Sequence, residues 1–131
     1  MTLSIGLDIV HLPEFAAQLA TPGTRFALGV FTVGERAGAS ARDEHAGTRH
    51  LAGRYAAKEA LIKALDGRRW GSPPALNTVD LRDIEVVADA WGRPALHLHG
   101  PVAQIAAGLM LSLSISHDGP TVAATVIAAG L

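Results

Sequence analysis

Residues 51–65 read LAGRYAAKEALIKAL and form the most regular helical pattern in the chain. At about 100° per residue, one stripe collects the apolar side chains Leu51, Tyr55, Ile62 and Leu65. Lys58 falls inside this stripe, whereas Glu59 lies on its far edge with Lys63 one step beyond. The pattern predicts a helix over about 48–66. A helix that only packs would not place Lys58 among Tyr55 and Ile62, which makes its charges candidates for a function.

The charges on this helix have two simpler explanations, and both remain open. The stem of Lys58 can be buried while its ammonium reaches water. Glu59 and Lys63 can form an i,i+4 ion pair, which contributes only about 0.2–0.5 kcal/mol.

Asp8 interrupts the apolar stretch 3–10, which predicts a strand. Within a strand, Asp8 shares a face with Gly6 and Val10. It either points to solvent from an edge strand or needs a partner such as a metal ion. Asp8 and Glu59, on two different rigid elements, could together hold Mg²⁺, an ion that binds through one or two carboxylates, water and substrate phosphates.

The remaining elements alternate between short helices and strands. Thr32 and Glu35 have the spacing of a capping box, and residues 38–48 are expected to form a loop or a weak helix. Short helices are predicted near 13–20, 24–31, from 32 onward and 101–108, and later strands near 84–87, 96–99, 110–117 and 121–129. This order predicts an α+β fold with an antiparallel sheet packed with one long and several short helices, in a single domain over 1–131.

Composition excludes several classes of protein. The chain has 131 residues, of which 49% are hydrophobic and 18% charged, with a net charge of -1 and no cysteine. This balance argues against a basic nucleic-acid-binding surface and excludes disulfides and thiolate metal sites. No apolar run approaches the roughly 18 residues needed to span a bilayer. We therefore expect a cytoplasmic protein that binds neither nucleic acid nor membrane, and the sparse charge favours self-association.

The stretch SLSISHD at 112–118 alternates hydroxyl and apolar side chains. A strand there would place Ser116 and His117 on opposite faces, which argues against a hydrolytic triad. His97 and His99 share one face without a third ligand nearby, so we interpret them as exposed strand positions rather than a zinc site.

Five segments together resemble the holo-[acyl-carrier-protein] synthase family, the small bacterial 4'-phosphopantetheinyl transferases. They are IGLDIV (5–10), FTVGE (31–35), LAGRYAAKEALIKAL (51–65), WGRP (91–94) and SISH (114–117). Their order and spacing match over nearly the whole chain, and the segment around Lys58 and Glu59 is the most specific.

The resemblance implies a reaction and an assembly. Such enzymes transfer the 4'-phosphopantetheine group of coenzyme A to a serine of apo acyl carrier protein, with Mg²⁺, and release adenosine 3',5'-bisphosphate in support of fatty acid biosynthesis. The small members are homotrimers with active sites between protomers. The partner can be a free carrier protein or a carrier domain of a fatty acid synthase.

The resemblance also implies roles for individual residues. Asp8 and Glu59 would be the Mg²⁺ ligands, and Glu59, directly or through a metal-bound water, would help to remove the proton of the carrier serine. Lys63 would stabilise charge on the pyrophosphate. Lys58 would serve either the phosphates or an internal carboxylate. The remaining coenzyme A contacts would come from Arg54, Gly92, Pro94, Ser116 and His117.

Two departures from the family pattern concern recognition. Glu14 stands where many relatives have a basic residue that meets the acidic surface of the carrier, a role that Arg25, Arg36 or Arg42 could take instead. The loop Asp66–Gly71 is longer and more basic than the usual Gly-Thr-Gly, and its Arg68 and Arg69 would either grip a phosphate or be solvated.

Three other functions are kept as alternatives. They are a coenzyme A-binding module without catalysis, a metal-dependent phosphohydrolase that uses the same carboxylates, and a trimeric scaffold with a merely structural charged helix.

Overall fold

One long helix packed on a three-stranded antiparallel sheet forms the centre of the molecule. The structure, a computed structural model, describes residues 1–131. In chain order the elements are β1 (Thr2–His11), α1 (Leu12–Ala20), α2 (Phe26–Val30), α3 (Val33–Ser40), α4 (Glu44–Gly67), a 3₁₀ turn (Leu81–Asp83), β2 (Ile84–Ala88), β3 (Pro94–Leu98), α5 (Gly100–Ile105), β4 (Met110–Asp118) and β5 (Thr121–Gly130). None of the helices is both long and apolar enough to cross a membrane.

The strands form two antiparallel sheets. The larger has the order β1-β5-β4, and the smaller pairs β2 with β3. In the larger sheet Asp8 lies opposite Ala124, which in turn lies opposite Ile115. Both hairpins, β2–β3 and β4–β5, join strands that are neighbours in sequence. The predicted α+β fold is confirmed.

The long helix begins earlier than the sequence pattern predicts. α4 starts at Glu44 rather than near residue 48, because the Asp43 carboxylate caps it by accepting a hydrogen bond from the Ala46 amide at 2.8 Å. α3 extends to Ser40, so residues 38–48 are mostly helical with a short turn at 41–43, and of the loop and the weak helix expected for this range the structure shows helix. The capping box at the start of α3 is confirmed.

The buried surface of α4 also differs from the predicted stripe. Leu51 is buried, but Tyr55, Ile62 and Leu65 are only half-buried. Small residues carry most of the packing, and the fully buried ones among them are Ala52, Ala56, Ala57, Ala60 and Ala64. Since α4 contacts β1, β5, α3 and α1, it is covered on most sides, and counting only large apolar residues missed its main contact surface.

Candidate active site

Asp8 lies in the middle of β1 on the face that packs against α4. Its neighbours on that face, Gly6 and Val10, are buried, and its own side chain is 17% exposed. The solvent-facing alternative for Asp8 is therefore wrong. β1 approaches α4 closely because position 6 has no side chain: a Cβ there would lie 1.8 Å from the carbonyl oxygen of Ala60.

Lys63 connects the helix to the strand beside Asp8. Its Nζ donates to the carbonyl oxygen of Leu7 at 2.9 Å and to Oδ1 of Asp8 at 3.2 Å. Burial, followed by the charge of Asp8, raises the pKa of Glu59, and the Lys63 ammonium opposes this shift. The structure thus brings Asp8, Glu59 and Lys63 into one group, which we call the carboxylate group.

The carboxylate group fits a hard divalent cation. The negative charges of Asp8 and Glu59 repel each other, and the Lys63 ammonium is the one positive group beside them. A cation bound between the two carboxylates would relieve this repulsion. No third carboxylate or histidine joins them. This suits Mg²⁺, which keeps several waters and binds through one or two carboxylates plus substrate phosphates.

Lys58 lies in the core and is bonded on all sides. Its Nζ donates to Oε1 of Glu35 at 2.8 Å and to the carbonyl oxygens of Leu81 at 2.9 Å and Ile84 at 2.5 Å. Glu35 in turn accepts hydrogen bonds from the amides of Thr32 and Val86. An ammonium has three N–H donors, so none is left for a phosphate. The resemblance implied that Lys58 binds either the phosphates or an internal carboxylate. The structure shows the second, because Lys58 is bonded to Glu35.

A second group of polar residues is strongly cationic. A cleft of about 180 Å³ is lined by three arginines and two histidines and by no carboxylate. These five residues, which we call the basic cleft, are Arg42, Arg49, His50, Arg54 and His117. The buried Nε of Arg54 has no hydrogen-bond partner, so a donor is available there for an anion.

The basic cleft contains residues that the sequence analysis missed. Arg54 and His117 were predicted to bind coenzyme A, but Arg49 and His50 were not, and Arg42 was associated with the carrier. His50 could have been found, because it lies one helical turn before Arg54 and therefore on the same face. Burial, followed by the charges of Arg54 and Arg42, lowers the pKa of His50 from 6.5 to about 4, so this ring is neutral near pH 7.

The two groups lie on different sides of α4. Arg54 and Glu59 are five residues apart, which corresponds to a rotation of about 140° around the helix axis. The intervening helix is packed against the sheet and against α1 and α3. A ligand that touches both groups must extend around α4 or be shared with a second chain.

The structure does not bring the other predicted coenzyme A contacts to either group. Gly92 and Pro94 lie at the tip of the β2–β3 hairpin, where Gly92 has a φ of 83°. Ser116 is exposed on the sheet face opposite α4, in a row with Ser112 and Ser114.

The two arginines that follow α4, Arg68 and Arg69, donate hydrogen bonds to backbone carbonyls of the same chain. Arg68 donates to the carbonyl oxygens of Thr2, Gly130 and Leu131, and so ties the first and last strands together. Arg69 donates to the carbonyl oxygen of Pro73 at 2.7 Å.

Comparison with known proteins assigns the family. A family model described as the 4'-phosphopantetheinyl transferase superfamily matches residues 4–125. The holo-[acyl-carrier-protein] synthases of Mycobacterium ulcerans and of Mycobacterium tuberculosis strain H37Rv are each 47% identical, over 95% of this chain and 95% of theirs. The chain belongs to the holo-[acyl-carrier-protein] synthase family.

Solved structures of this family agree with the assignment. The ACPS–CoA complex of Chronobacterium ammoniagenes is 42% identical and has a TM-score of 0.94, over 100% of this chain and 99% of that one. A Bacillus anthracis holo-(acyl-carrier-protein) synthase in complex with CoA is 31% identical, with a TM-score of 0.74, over 95% of this chain and 94% of that one. The resemblance stated from the sequence is confirmed, and the chain is an enzyme of the holo-[acyl-carrier-protein] synthase family.

Proposed function

We propose that this enzyme transfers the 4'-phosphopantetheine group of coenzyme A to a serine of an apo acyl carrier protein and releases adenosine 3',5'-bisphosphate. The observation that carries the proposal is the carboxylate group, in which Asp8 and Glu59 lie together with Lys63 bonded to Asp8. Family membership supplies the reaction class, and the carboxylate group supplies the chemistry that the reaction needs.

The reaction exchanges one phosphorus–oxygen bond for another. The carrier serine oxygen attacks the phosphorus that bears the pantetheine, and the bond from that phosphorus to the bridging oxygen of the pyrophosphate breaks. The serine proton goes to a base, and negative charge builds up on the departing nucleotide. Catalysis therefore requires an oriented nucleophile and positive charge around the phosphates.

Glu59 and Lys63 are suited to these two tasks. The Glu59 carboxylate lies beside Asp8, where it is placed to accept the proton of the carrier serine. The Lys63 ammonium beside Asp8 offsets charge that develops on the phosphates. When bound between Asp8 and Glu59, Mg²⁺ would neutralise charge on the pyrophosphate.

The basic cleft suits the nucleotide end of coenzyme A. Arg54 and His117, with Arg49 beside them, can surround the 3'-phosphate, and the free Nε of Arg54 is one donor for it. The phosphate is a dianion near pH 7, so a cleft without carboxylates favours it strongly.

We further propose that the enzyme works as a homotrimer with coenzyme A held between protomers. The sheet face opposite α4 carries apolar side chains that are 54–67% exposed on β1: Leu3, Ile5, Leu7 and Ile9. Ile127 on β5 and Met110 on β4 are also exposed. An apolar face of this extent favours contact with further copies, and the separation of the two polar groups around α4 agrees with a site that two chains share.

The proposed setting is bacterial fatty acid synthesis in the cytoplasm. The acceptor is a free acyl carrier protein or a carrier domain of a larger synthase, and both present a serine to the same carboxylate group.

The proposal is tested by incubating the protein with coenzyme A, MgCl₂ and an apo acyl carrier protein. We expect the carrier to gain the mass of one phosphopantetheine arm and adenosine 3',5'-bisphosphate to appear in equal amount. Release of nucleotide without a carrier would instead indicate a phosphohydrolase. Binding of coenzyme A without any product would indicate a non-catalytic module.

A further inference from the structure

His50 forms part of the wall of the basic cleft and is held between two guanidinium groups. Its Nε2 lies 2.9 Å from the place that a Cβ at Gly38 would take, and Nη1 of Arg42 lies 3.7 Å from the same place. Arg42 also donates to the carbonyl oxygen of Gly38, so the ring and this guanidinium meet at the backbone of α3. Arg54 follows His50 by one helical turn on the same face of α4. The half-buried ring therefore lies among positive charges.

The charged groups that face this ring come from three parts of the chain, and those that line the cleft are all basic. The segment before α4 contributes one arginine, α4 contributes two more, and β4 contributes a histidine. They are Arg42, Arg49, Arg54 and His117. On the side of α3, the charge of Glu35 acts on Arg54. That carboxylate is bonded to the buried Lys58 ammonium, so it is already neutralised and does not line the cleft.

This surrounding keeps the imidazole neutral until an anion joins it. Burial, followed by the charges of Arg54 and Arg42, lowers the pKa of His50 to about 4. A phosphate monoester, whose second pKa is about 6, brings close to two negative charges at neutral pH. Negative charge in the cleft favours the protonated ring, because it opposes the repulsion from the arginines. The protonated ring can then donate a charge-assisted hydrogen bond to a phosphate oxygen.

We infer that His50 takes up a proton from water when the 3'-phosphate of coenzyme A enters the basic cleft, and that it thereby helps to select coenzyme A over dephospho-coenzyme A, the same molecule without that phosphate. The inference rests on the proposed function, which places the nucleotide end of coenzyme A in this cleft. No covalent bond changes, and the proton returns to water when the nucleotide leaves. His50 is then a specificity-determining residue, distant from the reacting phosphorus.

The test compares the affinities of coenzyme A and dephospho-coenzyme A for the wild type and His50→Gln, without a carrier, by titration calorimetry at pH 6.5 and 8.5. At pH 6.5 His50→Gln should bind coenzyme A about 5-fold more weakly than the wild type, the upper end for one partly exposed charge pair. At pH 8.5 the two proteins should bind it nearly equally, because the ring loses its proton again. For dephospho-coenzyme A they should bind equally at both pH values.

His45→Gln is the matched control. It makes the same substitution on the exposed first turn of α4, at a position that does not line the basic cleft. It should leave all four wild-type affinities unchanged, and melting temperatures confirm that both variants are folded.

NMR of the protein labelled at histidine observes the proton directly. The signal of His50 is the one that His50→Gln lacks. At pH 7 it should report a neutral ring in the protein alone and a cationic ring with saturating coenzyme A. A ring that stays neutral in both samples would overturn the inference. A wild-type to His50→Gln affinity ratio that is the same at both pH values, or the same for both nucleotides, would overturn it too, since this indicates a merely structural role.

These outcomes separate the inference from the proposed function. If the wild type binds coenzyme A no better than dephospho-coenzyme A, the basic cleft does not hold the 3'-phosphate and the inference is overturned. If the affinities and the NMR signal change as expected but no apo carrier gains mass, the proposed transfer fails and the inference about His50 stands.

Discussion

Lys58 fixes the position of α4 through bonds to α3, to the 3₁₀ turn and to the first residue of β2. Its ammonium is fully buried and bonded to Glu35 and to two backbone carbonyls. Replacing it leaves the charge of Glu35 buried without a counter-ion, which costs about 3–5 kcal/mol in comparable cases. We therefore expect Lys58→Met to lower the free energy of unfolding by that amount, as measured by urea denaturation.

The matched control for Lys58 is Lys63→Met, made five residues further along α4. The Lys63 side chain is 54% exposed, so its loss should cost less than about 1 kcal/mol of stability. Equal stability of the wild type and Lys58→Met would contradict the network described here.

His50 makes stability depend on pH. Its pKa is about 4 in the folded protein and 6.5 ordinarily, so the unfolded chain takes up this proton at a higher pH than the folded chain. The contribution is fully present above about pH 6.5 and is lost as the pH falls toward 4. Between pH 7.5 and 5 the wild type should lose about 1 kcal/mol more than His50→Gln, the effect being reduced because solvent screens a partly exposed ring.

The measurement is urea denaturation of both proteins at the two pH values. Parallel loss of stability in the wild type and in His50→Gln would show that His50 is protonated equally in both states.

The sequence was enough to predict which charged residues have a function, but not which residues each of them contacts. Asp8 and Glu59 were predicted to act together because carboxylates on rigid elements suit one cation, and the structure brings them together. The partner of Lys58 could not be chosen, since Glu35 is 23 residues away and the chain path between them is not evident from spacing. Arg49 has no local pattern that distinguishes it from a solvated arginine.

At the scale of elements, β1 and α4 pack at a distance that only glycine allows. A Cβ at position 6 would lie 1.8 Å from the Ala60 oxygen and 2.7 Å from the Ala64 nitrogen, both backbone atoms that cannot move alone. We expect Gly6→Ala to lower the free energy of unfolding by about 3 kcal/mol, as overpacking does in tight cores. Transfer activity should fall too, because Asp8 lies two residues away on the same face.

Gly29→Ala in α2 is the control for this substitution. A Cβ at position 29 would meet nothing within 4 Å, and alanine has the higher helix propensity, so this variant should gain up to about 1 kcal/mol. If Gly6→Ala proves as stable as Gly29→Ala in denaturation, the close packing of β1 on α4 is contradicted.

The pattern of elements was predictable because strands and hairpins have local causes. The alternation of apolar and polar side chains and the turn residues between them predicted β4 and β5. Gly67 correctly predicted the end of α4. The surface of α4 was not predictable in the same way. Alanine and glycine are weak indicators of burial, and only the tertiary contacts with β1, β5, α1 and α3 show that the helix is covered on most sides.

At the scale of the whole molecule, the basic cleft and the carboxylate group belong to different sides of one helix, so the shared site can be tested by mixing variants. Arg54→Ala and Glu59→Gln should each be inactive alone. In trimers formed at random from a co-expressed 1:1 mixture, about a quarter of the sites would combine an intact Arg54 with an intact Glu59 from the neighbouring chain. We expect a corresponding return of activity, whereas a site within one chain would give none.

Intact-mass measurement of the carrier shows whether the carboxylate group is needed to transfer phosphopantetheine. The wild type and the control Glu44→Gln should both add the mass of one arm to an apo carrier in the presence of coenzyme A and MgCl₂. Glu59→Gln should remain folded, with an unchanged melting temperature, and leave the carrier mass unaltered over the same period. Near-normal addition by Glu59→Gln, or no addition by the wild type to any carrier, would show that the carboxylate group does not perform this transfer.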